Sequence, residues 1–452
     1  MTARVLDRLS SRPRLVVLGV GASLLAAYVA SLVLLPKPDG RIIVGDAVGH
    51  FVQLRSAVYD HDFDFANDFA ALYGFAPDSP EGRAWIEERR TPTGHVRNFM
   101  PVGPALLWAP GYLATAAVLR GLSALGIAAP ADGTERVLQA VPGITGILAV
   151  IVAAWIAWRL AERFTDRTSA VVGLLGIWLG SHAIYYSLIS PAYSHAASML
   201  AATLVVAHWV RARAAWSIRA AAVSGALVGL ATLMRWQDAV WIVVPAIECL
   251  RWRAPARDRL VALVACGAAA AAAFTPQMVV WQALYGQPLA IPQGAGFIEW
   301  TRPNLVAVLF SDKHGLFSWS PILVLAVVGF VGVARRERWM VLPVVAVVAL
   351  SWYVNAAVSD WWAGEAFGAR RFLSFFPLFV VGLSGWLHAG RPGQVRRAAV
   401  VAALVVANGL LLVQYQTFMK GLRDVAPYPE GGFGLWVARF VVPARLIARW
   451  WS

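Results

Sequence analysis

Apolar runs separated by short clusters of arginine recur along this chain. A run of about 20 apolar residues crosses a bilayer as a helix, because its length matches the hydrocarbon core. With 59% hydrophobic and 14% charged residues, a soluble chain of 452 residues would have too few polar side chains to cover its surface. The sequence therefore predicts an all-α polytopic membrane protein with a single domain over residues 1–452.

The arginine clusters predict the orientation of the apolar runs. A net charge of +14 would indicate nucleic-acid binding in a soluble protein, but these arginines follow the positive-inside pattern of membrane proteins. Four arginines precede the run Leu15 to Leu35, which lacks a small-residue cleavage site. We therefore expect an uncleaved first span with a cytoplasmic N-terminus. The later clusters predicted inside are Arg211, Arg213 and Arg219; Arg251, Arg253, Arg257 and Arg259; Arg335, Arg336 and Arg338; Arg391, Arg396 and Arg397.

These clusters are consistent with about 11 transmembrane helices. The predicted spans are Leu15–Leu35, Val137–Trp158, Ala170–Tyr186, Ser194–Val210, Ala220–Met234, Ala239–Leu250, Leu260–Leu284, Gly315–Ala334, Trp339–Val358, Phe372–Leu387 and Ala398–Val413. The segment Pro101 to Leu119 must then begin and end outside, as a membrane-embedded or interfacial helix that does not cross. Twelve or thirteen spans remain open, and the pair around Arg235 is short enough for a shallow hairpin.

One long polar interval, from Pro36 to Asn98, interrupts the apolar sequence and holds 10 of the 25 acidic residues. Residues 36–100 are predicted to form the first extracytoplasmic loop, with an interfacial helix from Asp46 to Asp60. Residues 416–452 are predicted to form an extracytoplasmic tail that ends in a second interfacial helix. The aspartates that begin or follow the first of these helices are Asp46, Asp60, Asp62, Asp64 and Asp68.

Charged residues are absent from the middle of nearly every predicted span. Ion-coupled transporters usually need such residues near the bilayer midplane, so this pattern argues against a pump. Cys249 and Cys266 have no partner in an outer loop, and the chain contains neither a CxxC nor a zinc-type spacing.

Polar residues gather instead at the predicted outer ends of the spans. One site at the outer membrane face would bring them together. They are His182, Tyr185 and Tyr186; Tyr193 and His195; Arg235, Gln237 and Asp238; Glu299 and Arg302; Asp312, Lys313 and His314; Asp360, Glu365, Arg370 and Arg371.

The order of these features resembles the GT-C superfamily of membrane glycosyltransferases, in particular a bacterial branch near protein O-mannosyltransferases and lipid A aminoarabinose transferases. After Gly45-Asp46, the strings that carry the resemblance are NFMPVGPALLWAPGY (98–112), SPAYSHAAS (190–198), LATLMRWQDA (230–239), LFSDKHGLFSWSP (309–321) and SDWWAGEAFGARRF (359–372). The resemblance implies a GT-C-type bundle in a bacterial inner membrane. It also implies an inverting transfer of a hexosyl or pentosyl group from a polyprenyl-phosphate-linked donor to an acceptor hydroxyl outside the cytoplasm.

By the same resemblance, Asp46 is the general base that removes the proton of the acceptor hydroxyl. Arg370, Arg371, Arg235 and Lys313 would bind the donor phosphate, since guanidinium groups match phosphate oxygens. Further substrate-binding candidates are His50, Asp60, Tyr193, His195, His314, Trp361, Trp362 and Glu365. Ala47 follows Asp46 where the family often has Glu, and the second outer loop offers Tyr193 and His195 where relatives often have an acidic residue. No cofactor is therefore expected, although a divalent metal is left open.

Structural roles compete with each of these assignments. Asp46 alone is compatible with a helix cap, and the four later aspartates with solvated loop charges. Arg370 and Arg371 are compatible with lipid head-group anchors, and Trp361 and Trp362 with an interfacial aromatic belt. A carrier or flippase for lipid-linked sugars is the alternative function, and it would use the outer arginines but no base. The acceptor stays open between protein, lipid and polysaccharide.

Overall fold

The computed structural model describes residues 6, 9–35, 40–294, 296–390, 393–429 and 433–451, and these form helices and loops with only two isolated β-bridges. The predicted all-α class is thus confirmed for the described residues. The α-helices are α1 Pro13–Leu34, α2 Asp46–Arg55, α3 Ala66–Tyr73, α4 Pro80–Glu88, α5 Gly103–Ala124, α6 Arg136–Ala161, α7 Arg167–Gly180, α8 Ala183–Leu188, α9 Ser194–Ala212, α10 Ile218–Met234, α11 Val243–Arg251, α12 Ala256–Tyr285, α13 Ala307–Phe310, α14 Leu316–Trp319, α15 Ile322–Arg336, α16 Val341–Ala357, α17 Phe376–Ala389, α18 Gln394–Met419 and α19 Phe433–Trp451. Shorter helical turns are the π-helical Ser56–Asp60 and the 3₁₀ turns Arg213–Ala215, Trp236–Ile242, Arg338–Met340 and Arg370–Phe375.

Seven helical segments of the described chain are long and apolar enough to cross a membrane, by length and composition. They are α1, α5, α6, α12, α18, and α16 and α17 together with the 3₁₀ turns that precede them. The shorter apolar helices α7 and α10 also coincide with predicted spans. The count of about 11 spans therefore stays a prediction.

Two predicted spans are wrong as single helices, because each is broken. The span Ala170–Tyr186 divides between α7 and α8 at Ser181, whose backbone is extended. The span Gly315–Ala334 divides between α14 and α15 at Ser320 and Pro321, since proline disfavours helical backbone in the preceding residue. The two breaks contact each other, because the backbone N–H of His182 donates to Ser320 Oγ at 3.1 Å.

Polar groups at the first break are satisfied by both local and distant partners. Ser181 Oγ donates to the carbonyl of Ile177 and accepts from the N–H of Ala183. Asn408 Nδ2, on α18, donates to the carbonyls of Leu179 and Ser181 at 3.0 Å each. A buried backbone break is tolerated only with such compensation.

Close helix packing rests on small residues where α10 crosses α12. A Cβ at Gly225 would lie 2.0 Å from the carbonyl oxygen of Cys266, and one at Gly229 would lie 2.3 Å from that of Ala270. The spacing of these two glycines is the small-xxx-small pattern that lets helix backbones approach in membranes. The turn after α10 also contacts α12, because the rings of Trp236 and Trp281 meet edge to face at 5.4 Å between centroids.

The first loop folds as a layer of helices against α5. Val48, Phe51 and Val52 of α2 are buried, and Phe51 meets Tyr112 of α5 edge to face at 5.7 Å between ring centroids. The helix predicted from Asp46 to Asp60 is confirmed, with its last turn π-helical. This layer presents the start of α2 to the rest of the bundle.

Helix α5 contacts one predicted span near its predicted outer end and two segments predicted to lie outside. At its start, the N–H of Val102 donates to Gln277 Oε1, near the predicted outer end of α12, at 2.8 Å. Near its end, Arg120 Nη2 donates to the carbonyl of Val58 at 3.2 Å. In its middle, Tyr112 donates to the carbonyl of Gly133, in the loop before α6, at 2.8 Å. These contacts support a helix that does not cross, although its length alone is sufficient for a span.

Cysteine labelling tests this topology. Ala76 and Ala129 are exposed and lie on either side of α5 in the sequence. We expect Ala76→Cys and Ala129→Cys, each with Cys249 and Cys266 replaced by serine, to react with an impermeant thiol reagent on intact cells. Reaction at position 76 alone would show that α5 crosses the membrane and would change the span count. Arg335→Cys, at the predicted cytoplasmic end of α15, is the unreactive control.

A buried carboxyl group in the first loop is expected to make stability depend on pH. Asp68 is fully buried, and this burial raises the pKa of its carboxyl from 3.8 to about 7. Arg55 donates to Asp68 at 3.1 Å and opposes the shift, but it also pairs with Asp60. The folded protein therefore holds a proton that the unfolded chain has released above pH 4.

The contribution of Asp68 to stability is thus complete below about pH 4 and is lost as the pH rises through about 7. The expected loss is up to about 1.4 kcal/mol per pH unit within this window. Asn resembles the protonated carboxyl, so Asp68→Asn should flatten the dependence in thermal unfolding of the detergent-solubilised protein between pH 5 and 8. The exposed Asp78→Asn is the control. An unchanged pH dependence in Asp68→Asn would contradict the assignment.

The C-terminal helix α19 presents apolar side chains to the surroundings. Val437, Phe440, Ile447 and Trp450 are exposed, whereas Arg439 is buried with its guanidinium 4.0 Å from the ring centroid of Trp436. This exposed apolar surface fits the predicted interfacial helix, which remains a prediction. Residues 430–432 and 452 of that predicted tail lie outside the described residues.

Candidate active site

A cleft brings together residues from the start of α2, the start of α9, the turn after α10 and the loop before α17. Asp46 and three predicted phosphate-binding arginines lie in this one cleft, although they are distant in the sequence. The described residues that line it are Asp46, Phe99, Met100, Pro101, Ser194, Arg235, Trp236, Gln237, Gln293, Phe297, Asp360, Arg370 and Arg371.

Asp46 is the first residue of α2 and projects its carboxylate into the cleft. The preceding Gly45 has φ 57° and ψ −137°, a backbone conformation that is open mainly to glycine. Asp46 Oδ2 accepts from Arg370 Nη1 at 2.5 Å, and its side chain is 32% exposed. Asp46 therefore reaches across the cleft to a guanidinium, and the start of α2 favours its negative charge.

Arg370 and Arg371 follow a tightly turned loop over residues 359–369. Ala363, Gly364 and Gly368 all have positive φ, between 62° and 65°. Arg370 Nη2 donates to the carbonyl of Ala363 at 3.0 Å. Arg371 donates through Nη2 to Asp360 Oδ1 at 2.6 Å and through Nη1 to the Asp360 carbonyl at 3.0 Å. The loop thus holds both guanidinium groups at the cleft by its own oxygens.

Arg235 is a buried residue in the lining of the cleft. It follows the last residue of α10 and is only 9% exposed. Its Nη1 lies 2.5 Å from Nδ1 and 2.9 Å from Nε2 of His195, and 3.4 Å from Ser194 Oγ. Asp238, one turn later, is buried and accepts from Ser198 at 2.5 Å. The contacts with His195 and Ser194 hold Arg235 at the lining of the cleft.

Three further candidates lie behind the cleft lining. His195 is buried and bonded to Arg235, and Tyr193 contacts Gly45, Asp46 and Arg370. His50 is fully buried one turn after Asp46, and its Nδ1 lies 2.8 Å from the carbonyl oxygen of Pro101. Burial lowers the pKa of His50 to about 4, so the ring is neutral and donates through Nδ1. These side chains support the cleft from behind.

The other candidates lie outside the cleft. Lys313 is exposed, with Nζ 4.9 Å from the ring centroid of Trp362, and Glu365 is exposed. Trp361 and Trp362 pack edge to face against each other at 5.7 Å. Asp60 pairs with Arg55 and accepts from Asn67 at 2.9 Å, so it is not the solvated charge that we expected.

His314 connects the loop that contains Trp362 with the segment that contains Tyr428. Its Nδ1 lies 2.7 Å from the carbonyl oxygen of Trp362, and Tyr428 Oη lies 2.5 Å from its Nε2. Burial lowers the pKa of His314 to about 4, so a neutral ring donates through Nδ1 and accepts at Nε2. Both ring nitrogens are therefore engaged within the protein, and the substrate-binding role of His314 stays a prediction.

Sequence reasoning missed part of the lining. Gln293 and Phe297 lie in the loop between α12 and α13, of which only Glu299 and Arg302 were singled out by charge. Phe99 and Met100 belong to the string NFMP, which predicted the family but not a contact. The hydrogen bond from the N–H of Ser359 to the carbonyl of Phe297, at 2.9 Å, joins this loop to the arginine loop. No local pattern predicts such a pairing.

The polar groups of the cleft do not match a divalent-cation site. Its two carboxylates, Asp46 and Asp360, each accept from an arginine, and Arg235 adds a third positive charge. Among the described residues, no group of three His, Cys, Asp or Glu side chains is placed to hold a metal ion. The expectation of a reaction without a metal stays a prediction, and the steps below use none.

Comparisons with known proteins give weak likenesses only. No family model and no curated protein matches the chain. A structure of the archaeal oligosaccharyltransferase AglB from Archaeoglobus fulgidus, in complex with an inhibitory peptide and a dolichol-phosphate, is 12% identical, with a TM-score of 0.47 over 88% of this chain and 55% of that one. A structure of the Archaeoglobus fulgidus oligosaccharyltransferase with Zn and sulfate is 14% identical, with a TM-score of 0.45 over 87% and 51%. Its apo form is 13% identical, with a TM-score of 0.46 over 95% and 56%.

This chain thus spans about half the length of these oligosaccharyltransferases. Because the sequence identities and TM-scores are both low, we infer the roles of individual residues from the geometry of this chain alone.

Proposed function

We propose that this protein is an inverting glycosyltransferase that moves a sugar from a polyprenyl-phosphate-linked donor to an acceptor hydroxyl at the outer face of a bacterial inner membrane. The observation that carries the proposal is the meeting of Asp46 with Arg235, Arg370 and Arg371 in one cleft. A carboxylate beside clustered guanidiniums supplies both a base and a phosphate-binding surface.

The charge of the cleft fits a phosphodiester. Three arginines and two aspartates give its lining a net charge of +1, and a polyprenyl-phosphate sugar carries one negative charge. When the sugar leaves, the phosphate becomes a monoester and gains a second negative charge. Guanidinium groups that are already in place stabilise this developing charge without reorganisation.

The reaction proceeds by one displacement at the anomeric carbon. Asp46 takes the proton of the acceptor hydroxyl, and the hydroxyl oxygen forms a bond to that carbon. The bond between the carbon and the phosphate oxygen breaks, and its electron pair stays on the phosphate. Attack from the face opposite the leaving phosphate inverts the anomeric centre, as the GT-C resemblance also implies.

The ion pair between Asp46 and Arg370 supports an order in which the two substrates bind. Without substrate, Arg370 donates to the carboxylate that must accept the proton. A donor phosphate competes for the same guanidinium, and its binding releases Asp46. We therefore infer that the donor binds first and that the acceptor meets a free base afterwards.

Two measurements on the purified protein test the proposal. Mass spectrometry of copurifying lipid should detect a polyprenyl-phosphate monosaccharide. Incubation with synthetic polyprenyl-phosphate monosaccharides and an envelope fraction as acceptor pool should produce free polyprenyl phosphate. A carrier would bind the same lipid and move it between leaflets intact, so binding without release of polyprenyl phosphate would favour the carrier and overturn the enzyme.

A further inference from the structure

The start of α2 needs a hydrogen-bond acceptor that its own cap residue does not supply. The first N–H groups of a helix have no partner within the helix and are usually satisfied by a side chain at the N-cap position. Here the N-cap is Gly45, which has no side chain, and Asp46 directs its carboxylate to Arg370 instead. The backbone N–H of Asp46 therefore needs a hydrogen-bond acceptor from another part of the chain.

Tyr193 lies at this position. Its phenolic oxygen is beside Gly45 and the backbone of Asp46. It lies so close to Gly45 that a Cβ there would be 2.1 Å from the hydroxyl. Gly45 is thus required both by its positive φ and by the space that Tyr193 fills.

The same tyrosine contacts the other half of the ion pair. The guanidinium carbon of Arg370 lies 5.9 Å from the centroid of the Tyr193 ring. Tyr193 is itself the N-cap residue of α9, so its backbone is held at the start of a largely buried helix. One side chain thus joins α9, the start of α2 and the arginine loop.

We propose that Tyr193 is a positioning residue that caps α2 across the cleft and holds the Asp46 carboxylate at its reacting position. The inference rests on the proposed function, and it replaces the predicted role of Tyr193 in binding substrate. Because a positioning residue acts through Asp46, its loss changes the chemical step more than donor binding.

Tyr193→Phe tests this directly, since the ring beside Arg370 remains and only the hydroxyl is lost. We expect kcat for release of polyprenyl phosphate to fall about 10- to 100-fold, while the KM for the donor changes less than about twofold. Tyr112→Phe is the matched control, because it also removes one buried tyrosine hydroxyl, which donates to the carbonyl of Gly133 and lies outside the cleft lining. It should keep kcat within about twofold.

A double-mutant cycle with Gly45→Ala adds a second readout. The new methyl group meets the Tyr193 hydroxyl in the wild-type background and is spared that contact in Tyr193→Phe. We expect Gly45→Ala to reduce kcat by a smaller factor in the Tyr193→Phe background. Additive effects, or a Tyr193→Phe protein with normal kcat, would overturn the proposal, and a raised donor KM with normal kcat would return Tyr193 to the substrate-binding residues.

Hydrogen exchange separates this inference from the proposed function. If the wild-type protein releases no polyprenyl phosphate from any donor, the glycosyltransferase proposal fails, but the cap is still measurable. Exchange in the peptide that contains Gly45 to Phe51 should then be faster in Tyr193→Phe than in the wild type. Equal exchange rates would overturn the cap as well.

Discussion

Asp46→Asn is expected to fold and insert normally, to bind the lipid-linked donor, and to lose at least two orders of magnitude in sugar transfer. A general base contributes about 10²- to 10⁴-fold to a rate, and an amide is almost the same size as a carboxylate but cannot take the proton. Free polyprenyl phosphate, measured per folded molecule, gives the rate. Donor binding is measured by protection from thermal unfolding.

Asp60→Asn is the matched control for this experiment. Asp60 lies in the same loop but pairs with Arg55 outside the cleft, so its loss should leave transfer within a few-fold of the wild type. Transfer by Asp46→Asn at near wild-type rates would end the role of Asp46 as the base. The remaining carboxylate of the cleft, Asp360, would then become the candidate, or the carrier would be favoured.

Arg370→Ala is expected to weaken donor binding at least tenfold, and Arg371→Ala to do the same. Loss of one charge-assisted hydrogen bond to phosphate costs on the order of 1.5–3 kcal/mol in binding free energy. Arg370→Lys should recover only part of the affinity, because an ammonium group keeps the charge but not the planar fork of donors. The donor KM and competition by a non-hydrolysable donor analogue measure these effects.

Arg335→Ala, at an exposed position remote from the cleft, is the control for general loss of positive charge. Unaltered donor affinity in both Arg370→Ala and Arg371→Ala, together with poor membrane insertion, would mean that these arginines anchor lipid head groups. If Arg371→Ala alone weakens the donor, the phosphate lies nearer Asp360. The proposed competition for Arg370 would then be wrong.

The core of the candidate site could be predicted because its residue types are unusual for their surroundings. Arginines and an aspartate at the ends of apolar helices are conspicuous, and Asp46, Arg235, Arg370 and Arg371 do line one cleft. The sequence does not reveal which way each side chain points within a loop. Lys313 therefore lies outside the cleft, although its charge made it an equal candidate.

The supporting residues could not be assigned in this way, since their roles arise from contacts made across the whole chain. Asp46 and Arg370 pair across 324 positions of sequence. His195, His314 and Tyr193 have the residue types of substrate ligands, but each is engaged by another protein group. A sequence pattern identifies such groups as polar and does not distinguish a partner within the protein from a partner in the substrate.

In the fold, the ends of long helices could be predicted from local sequence, whereas a helix break stabilised by distant residues could not. The ends of the long helices follow from apolar length, so α1, α6 and α12 match their predicted spans within a few residues. The break at Ser181 was missed because a serine within an apolar run is compatible with a continuous helix. The break is stabilised from distant parts of the chain, because Ser320 accepts from the N–H of His182 and Asn408 of α18 donates to the carbonyl of Ser181.

The break at Ser181 also bears on the order in which the chain can mature during synthesis. The carbonyls of Leu179 and Ser181 are held by Asn408, which is made 229 and 227 residues after them. Until that amide arrives, these acceptors have no partner from α18, and an unpaired backbone carbonyl is costly in lipid. We therefore expect this joint to close only after Asn408 has been made, 227 residues after Ser181.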